Sequence, residues 1–246
     1  IEKEYDLFIK KNENDKVNIR FDKKIELKNI EFSYDESKKK IFNNLNIEIK
    51  KNTIIGVVGS SGSGKTTFID ILVGLILNRK GSLKVDGKEI DEKNVKSYQK
   101  NFGYVPQNFY LFDNSVRQNI AINEHDSKTT NVMEDKIILE ILQNLKLNKI
   151  LSEEGLDTQV GENAIRLSGG QRQRLGIARI LFHNKEILLL DEATNALDKQ
   201  TEREIFDLIY SLRGRKTIII STHSVEMLNN CDEVYEIKNS NLKKIK

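Results

Sequence analysis

A chain of 246 residues, with 40 basic and 37 acidic side chains and a net charge of +3, is long enough for one well-buried core with an appended lobe, or at most two small domains. Its lysines are scattered among glutamates, so no basic footprint marks a nucleic-acid partner. No apolar run approaches the roughly 18 residues of a membrane-spanning helix, and the lone Cys231, which reads as a small buried hydrophobe, fits a reducing compartment.

Residues 1–24 are dense in Lys, Glu, Asn and Asp and read as a solvated lead-in. The chain begins at Ile1, with no methionine and no basic-then-apolar signal pattern, which predicts a soluble piece of a longer protein. "IELKNIEFSY" (Ile25 to Tyr34) and "LNIEI" (Leu45 to Ile49) alternate with period two and predict a small antiparallel sheet. "TIIGVVG" (Thr53 to Gly59) is a continuous β-branched run, the pattern of a central strand buried on both faces. "VMEDKIILEILQNLK" (Val132 to Lys146) places Ile137, Ile138, Ile141, Leu142 and Leu145 on one helical face and predicts a helical lobe. Strand and helix then alternate through "EILLLD" (Glu186 to Asp191), "KTIIIST" (Lys216 to Thr222) and "DEVYEI" (Asp232 to Ile237), as in α/β winding.

The chemistry begins at "GVVGSSGSGKTTFIDIL" (Gly56 to Leu72), where a strand breaks into a glycine-rich loop that opens a helix. Gly59, Gly64, Lys65 and Thr66 satisfy G-x-x-x-x-G-K-[ST] in that context. Backbone N–H groups of such a loop turn around a phosphate chain, the helix N-terminus adds its positive end, and Lys65 reaches the β and γ oxygens. Thr66 offers a hydroxyl to Mg²⁺. A phosphate loop alone leaves kinases, GTPases and ATPases open. In "EILLLDEA" a strand ends in Asp191, placed to hold Mg²⁺, and Glu192 follows at once. Strand alternation would turn the two carboxylates to different sides, so that Glu192 faces the γ-phosphate and orients or deprotonates water.

"RLSGGQRQRLGIARIL" (Arg166 to Leu181) supplies a second helix start, with Ser168 as cap and Gly169 and Gly170 permitting close backbone approach. Leu175, Ala178, Ile180 and Leu181 are available for packing. Two phosphate-binding helix starts do not easily sit on one γ-phosphate within one domain. Here the sequence resembles the nucleotide-binding domain of ATP-binding cassette (ABC) transporters, whose signature motif is LSGGQ. The resemblance runs from about Ile25 to the C-terminus. It implies a P-loop NTPase core, mostly a parallel sheet with flanking helices, plus an N-terminal antiparallel β subdomain and an α-helical signature subdomain at about 108–180. Residues 25–246 would then be the ATPase domain and 1–24 the linker from a preceding membrane domain.

The same resemblance implies ATP and Mg²⁺ as ligands. Tyr34 resembles the aromatic residue that stacks on adenine, and Gly59, Ser60, Ser61, Gly62, Ser63, Gly64, Lys65, Thr66 and Thr67 the phosphate loop. Ser168, Gly169, Gly170 and Gln171 resemble the signature that closes the partner's site. Gln107 in "VPQ" resembles the Q-loop glutamine linking metal and water to the membrane domain, Asp198 ends the D-loop "NALD", and His223 in "STH" resembles the switch histidine. Catalysis would fall to Glu192, His223 and Gln107, and the metal to Thr66, Gln107 and Asp191. The family works as a head-to-tail dimer, each ATP lying between one chain's P-loop and the other's signature, which resolves the problem of the two helix starts.

"DTQVGE" (Asp157 to Glu162) resembles the exporter x-loop and "LFDNSVRQNIA" (Leu111 to Ala121) the exporter segment near the coupling helix. The overall texture is similar to bacterial lipid or lipid-linked sugar flippases. That implies a homodimer at the cytoplasmic face of the inner membrane, with transmembrane helices fused upstream of Ile1 and no nucleic-acid partner. The aromatics of "NFYLF" (Asn108 to Phe112) are candidates for a docking patch or for core packing. The alternatives are a stand-alone importer ATPase or a non-transport ABC ATPase. DNA-maintenance members carry a long coiled coil between P-loop and signature, and the stretch from Lys65 to Ser168 shows no heptads. Two positions depart from the family pattern: Asn195 replaces a usual small serine before "ALD", and Lys185 stands where proline often precedes the Asp191 strand. Neither removes a catalytic group.

Overall fold

The period-two stretches of the N-terminal third form strands. A computed structural model describes residues 18–34, 40–77, 79–107, 109–122, 132–161, 167–223 and 225–246; positions 1–17 of the lead-in, Asn108, Glu162 and Arg166 fall outside them. The chain divides into two compact units, Ile1–Phe102 with Cys231–Lys246, and Gly103–Asn230.

In the first unit β1 (Lys24–Phe32) buries Ile25, Leu27, Ile30 and Phe32 and pairs antiparallel with β2 (Phe42–Lys50) from Lys24↔Lys50 to Phe32↔Phe42. Its register shifts after Leu27, where Asn29 takes a positive φ of 53°, the irregularity of a bulge. All five residues of β3 (Ile54–Val58) are buried, and the glycine loop leads from it into α1 (Lys65–Leu72). Strands β4 (Lys80–Val85) and β5 (Lys88–Glu89) complete a four-stranded sheet in the order β2-β1-β4-β5. Gly81 is required opposite the bulge, since a Cβ there would lie 2.4 Å from Lys28 O. The short α2 (Val95–Gln99) buries Tyr98 completely, and its hydroxyl donates to Leu72 O at 2.7 Å.

The solvated reading of the lead-in fails at its described end. Ile19 and Phe21 are buried, Ile19 N donates to Ser97 Oγ at 2.8 Å and Asn101 Nδ2 donates to Ile19 O at 3.0 Å. Two apolar side chains at alternating positions are enough to dock this segment, whatever the charge density around them.

The second unit starts within β6 (Phe102–Val105). Helix α3 (Val116–Ala121) opens with a reciprocal capping box between Ser115 and Gln118. Helix α4 (Val132–Asn144) buries Ile138 and Leu142, and Leu145 just beyond it is also buried. The predicted face is corrected at Ile137, which is 42% exposed. The inward stripe follows Ile138, Leu142 and Leu145 at i, i+4 and i+7, which turns the preceding position outward. Arg174 Nη1, on α5 (Gly169–Phe182), donates to Leu145 O and Lys146 O, both at 3.1 Å. Strand β7 (Ile187–Asp191), helix α6 (Lys199–Tyr210) and strand β8 (Thr217–Ser221) follow. β7 and β8 pair in parallel from Ile187↔Thr217 to Asp191↔Ser221, both wholly buried.

The chain then returns to the first unit. β9 (Glu233–Lys238) pairs in parallel with β3, from Ile55↔Glu233 to Val58↔Glu236, and β10 (Asn241–Lys244) pairs antiparallel with β9. The fold is mixed α/β, with an antiparallel sheet and parallel strand pairs whose C-terminal ends carry the residues described next. Cys231 is buried, and among the described residues no helix is long and apolar enough to cross a membrane.

Candidate functional site

In the first unit the loop after β3 is held open by glycine geometry. Gly62 and Gly64 have φ of 74° and 105°, a region costly for residues with a Cβ, and a Cβ on Gly59 would lie 2.4 Å from Ser63 Oγ. Ser63 N donates to Ser60 O at 3.1 Å, turning the loop on itself. Lys65 is buried and its Nζ donates to Gly59 O at 2.9 Å and Ser60 O at 3.3 Å, so the cation lies along the inside of the loop. No side chain caps the N-terminus of α1, and the buried Ser63 Oγ has no hydrogen-bond partner. An inward lysine, an orphaned hydroxyl and an uncapped helix start fit a phosphate chain. Ser60, Ser61 and Thr66 are exposed at the same loop. Thr67 is buried, and its hydroxyl shares a hydrogen bond with Tyr34 OH at 3.1 Å. Tyr34 leaves most of its ring in solvent, 68% exposed, with its edge against Phe32.

In the second unit Asp191 ends β7 opposite Ser221, and Glu192 N donates to Ser221 O at 2.9 Å. Both acids are buried. Glu192, just past the strand, adopts a positive φ of 50°, a left-handed turn unusual for a residue with a side chain, and this bend takes the chain out of the sheet. Polar side chains from the described residues gather on the Glu192 carboxylate. Gln107 Nε2 donates to Oε2 at 2.9 Å, Asn195 Nδ2 donates to Oε2 at 2.7 Å, and His223 Nε2 lies 2.7 Å from Oε1. Gln107, Glu192 and His223 are thus brought together from three loops.

The signature residues build a helix start of their own. Ser168 Oγ accepts from Gln171 N at 3.2 Å and Ser168 N donates to Gln171 Oε1 at 2.8 Å, a capping box that opens α5. Gly170 lies close to the 195–197 turn, where an added Cβ would approach Leu197 Cδ2 to 3.1 Å and Ala196 O to 3.3 Å. Asp198 caps α6, accepting from Gln200 N at 3.1 Å, Thr201 N at 3.0 Å and Thr201 Oγ1 at 2.7 Å. The backbone hydrogen bond from Thr201 is the main cause that holds its carboxyl below the ordinary aspartate range. On α5 Leu175, Ala178 and Ile180 are buried and Leu181 is half-buried. The aromatic stretch is partly packed and partly exposed. Leu111 is buried and Phe109 lies under the Arg179 guanidinium, 4.4 Å from the ring centroid, while Tyr110 and Phe112 are exposed. Burial lowers the Arg179 pKa to about 10. Gln107, Phe109, Tyr110, Leu111, Arg172 and Gln173 line a groove of about 340 Å³ in this unit.

Among the described residues no three or more His, Cys, Asp or Glu gather as a cation site. The predicted donors, the Thr66 hydroxyl, the Gln107 amide and the Asp191 carboxylate, are hard oxygen ligands in small number. That chemistry fits Mg²⁺, which takes hard oxygens, only one or two of them carboxylates, and completes its shell with phosphate and water. Two participants were not predicted as site residues. Asn195 was visible only as a departure from a family pattern, and Gln173, whose Oε1 accepts from Ala196 N at 3.0 Å, left no signal in the sequence.

Residues 42–195 match the ABC transporter family. Over 247 residues the chain is 34% identical to the ATP-dependent lipid A-core flippase of Pasteurella multocida (strain Pm70), covering 99% of this chain and 40% of that relative. It is 39% identical over 217 residues to ABC transporter B family member 2 of Dictyostelium discoideum, covering 87% of this chain and 15% of the relative. Its fold is similar to a bacterial Atm1-family ABC exporter solved with ATP bound, with a TM-score of 0.82 and 28% identity, covering 92% of this chain and 39% of that one. The chain therefore spans less than half the length of each of these relatives.

Proposed function

Since this chain belongs to the ABC transporter family, we propose that it is the ATP-hydrolysing domain of an exporter, working as a head-to-tail pair in which each ATP lies between one chain's phosphate loop and the other chain's signature helix. The observation that carries this reading is the Glu192 carboxylate, held beside Asp191 by Gln107 and His223. Such a carboxylate is oriented to accept a proton from an attacking water. Lys65 and the backbone N–H groups of the loop and α1 bind the phosphates and stabilise charge on the γ-phosphoryl group, while Tyr34 offers an exposed ring to adenine. Mg²⁺, when bound, neutralises phosphate charge; Thr66, Gln107 and Asp191 would hold it.

Ser168 and Gln171 cap α5 with their own polar atoms, and the Gly169 and Gly170 N–H groups of its first turn bind a phosphate of a second chain. Exposed Tyr110 and Phe112, beside the groove lined by Gln107, form the surface on which a membrane-spanning part docks. That this chain covers 40% of its lipid A-core flippase relative supports an attached membrane domain, and that relative's name supports a lipid cargo and a place on the cytoplasmic face of a membrane.

The shared site makes hydrolysis by the 246-residue chain cooperative in its own concentration. Specific Mg-ATPase activity should rise as the chain is concentrated through its monomer–dimer range, because a lone chain lacks the second half of each site. Constant specific activity across a dilution series that passes into monomer, checked by sedimentation, excludes the shared site.

A further inference from the structure

We propose that Asn195 is a positioning residue for the Glu192 carboxylate, fixing its rotation from within the same turn; the inference rests on the ATPase reading above. Among the described residues Gln107, His223 and Asn195 reach this carboxylate, and they differ in how they are tethered. Gln107 and His223 arrive from loops distant in sequence. Asn195 stands three residues on, and its own N donates to Glu192 O at 3.2 Å while its Nδ2 donates to Glu192 Oε2 at 2.7 Å. Backbone and side chain thus close the same turn twice. An ionised carboxylate only accepts, so the amide must present its NH₂ group, which fixes the orientation of Asn195 as well.

The left-handed φ at Glu192 makes such a tether useful. At the end of a strand the side chain of a glutamate keeps several rotatable bonds, and freezing them near the reacting geometry is a contribution that a neighbouring donor makes without touching the nucleotide. Gln107 Nε2 and Asn195 Nδ2 both meet Oε2, so rotation of the carboxylate about its last bond would break both of these hydrogen bonds along with the His223 contact at Oε1. The serine that the family pattern offers at this position has its hydroxyl one bond closer to the backbone than the Asn195 amide nitrogen. This departure therefore extends a donor toward the carboxylate rather than merely altering a surface residue.

The turn that carries Asn195 is in turn seated on the signature helix. Gln173 Oε1 accepts from Ala196 N at 3.0 Å, and Gly170 approaches Leu197 and Ala196 so closely that a Cβ there would stand 3.1 Å and 3.3 Å from them. The register of the Asn195 amide thus depends on the start of α5. A displacement of that helix start reaches the carboxylate of its own chain through two hydrogen bonds, from Gln173 to Ala196 and from Asn195 to Glu192.

The test measures steady-state Mg-ATP turnover and single-turnover phosphate release by the protein and by Asn195→Ala, Gln173→Ala, Glu192→Gln and the Asn195→Ala/Glu192→Gln double variant. Asn195 is exposed, so its truncation should leave the thermal midpoint unchanged. A positioning role predicts that Asn195→Ala lowers kcat about tenfold with KM within twofold of the parent. Gln173→Ala should lower kcat in the same direction by less. In the Glu192→Gln background Asn195→Ala should change residual turnover by less than twofold, since there is no carboxylate left to hold. A kcat at or above the parent, a rise in KM alone, or a tenfold loss repeated in the Glu192→Gln background overturns the proposal. Near-parental turnover by Glu192→Gln overturns the ATPase reading of this carboxylate as well, so the two failures are distinguished by that variant alone.

Discussion

Glu192→Gln is expected to lower Mg-ATP turnover by about 10²-fold or more while ATP remains bound, a magnitude typical of losing a positioned general base. The amide preserves the size of the side chain and takes from it only the basic oxygen, and the neighbours at Gln107, Asn195 and His223 remain within reach. ATP that bridges two chains holds them together as long as its γ-phosphate survives. The variant should therefore run as a dimer with Mg-ATP and as a monomer with ADP on size-exclusion chromatography. Turnover near that of the parent would remove Glu192 from the base role.

Lys65→Ala is expected to weaken Mg-ATP binding by about 10²-fold or more, since it deletes a buried cation whose hydrogen bonds to phosphate oxygens would be charge-assisted. Its Nζ lies along the loop against Gly59 O and Ser60 O, so the loop's own carbonyls position the charge. ADP should weaken along with ATP, because the lysine serves the β-phosphate too. Isothermal titration with both nucleotides measures this directly, and parental affinity in the variant contradicts the role given to Lys65.

How much of this was legible in the sequence depended on how local each feature is. The glycine loop from Gly59 to Thr66 is contiguous, and its strand-to-helix context reads from periodicity alone. The cap at Ser168 is equally local, since its partner Gln171 stands three residues away. Asn195 is just as near to Glu192, yet a side-chain hydrogen bond to a carboxylate leaves no periodic trace. It also depends on the left-handed bend at Glu192, which no residue type announces. Strand alternation suggested instead that Asp191 and Glu192 diverge as neighbours in a sheet.

The misread lead-in has a different cause. Charge density averaged over 24 residues concealed Ile19 and Phe21, whose partners stand far along the chain, Ser97 and Asn101 for Ile19 and Lys51 for Phe21. Ile137 was placed inside because five apolar residues in one window exceed what a single stripe accommodates. Packing against the neighbouring helices selected the face through Ile138 and Leu142 and left Ile137 outside.

The central claim is that each hydrolytic site is completed by a second copy of the chain, and mixing two inactive variants tests it most directly. Lys65→Ala disables a chain's phosphate loop and Ser168→Arg disables the signature helix it lends to its partner. A mixed dimer then carries one site with both lesions and one with neither. Half of the dimers in an equal mixture are mixed and half of their sites are intact, so random pairing predicts recovery to about a quarter of parental activity. Phosphate release that stays at the sum of the two separate variants across all mixing ratios would contradict the shared site.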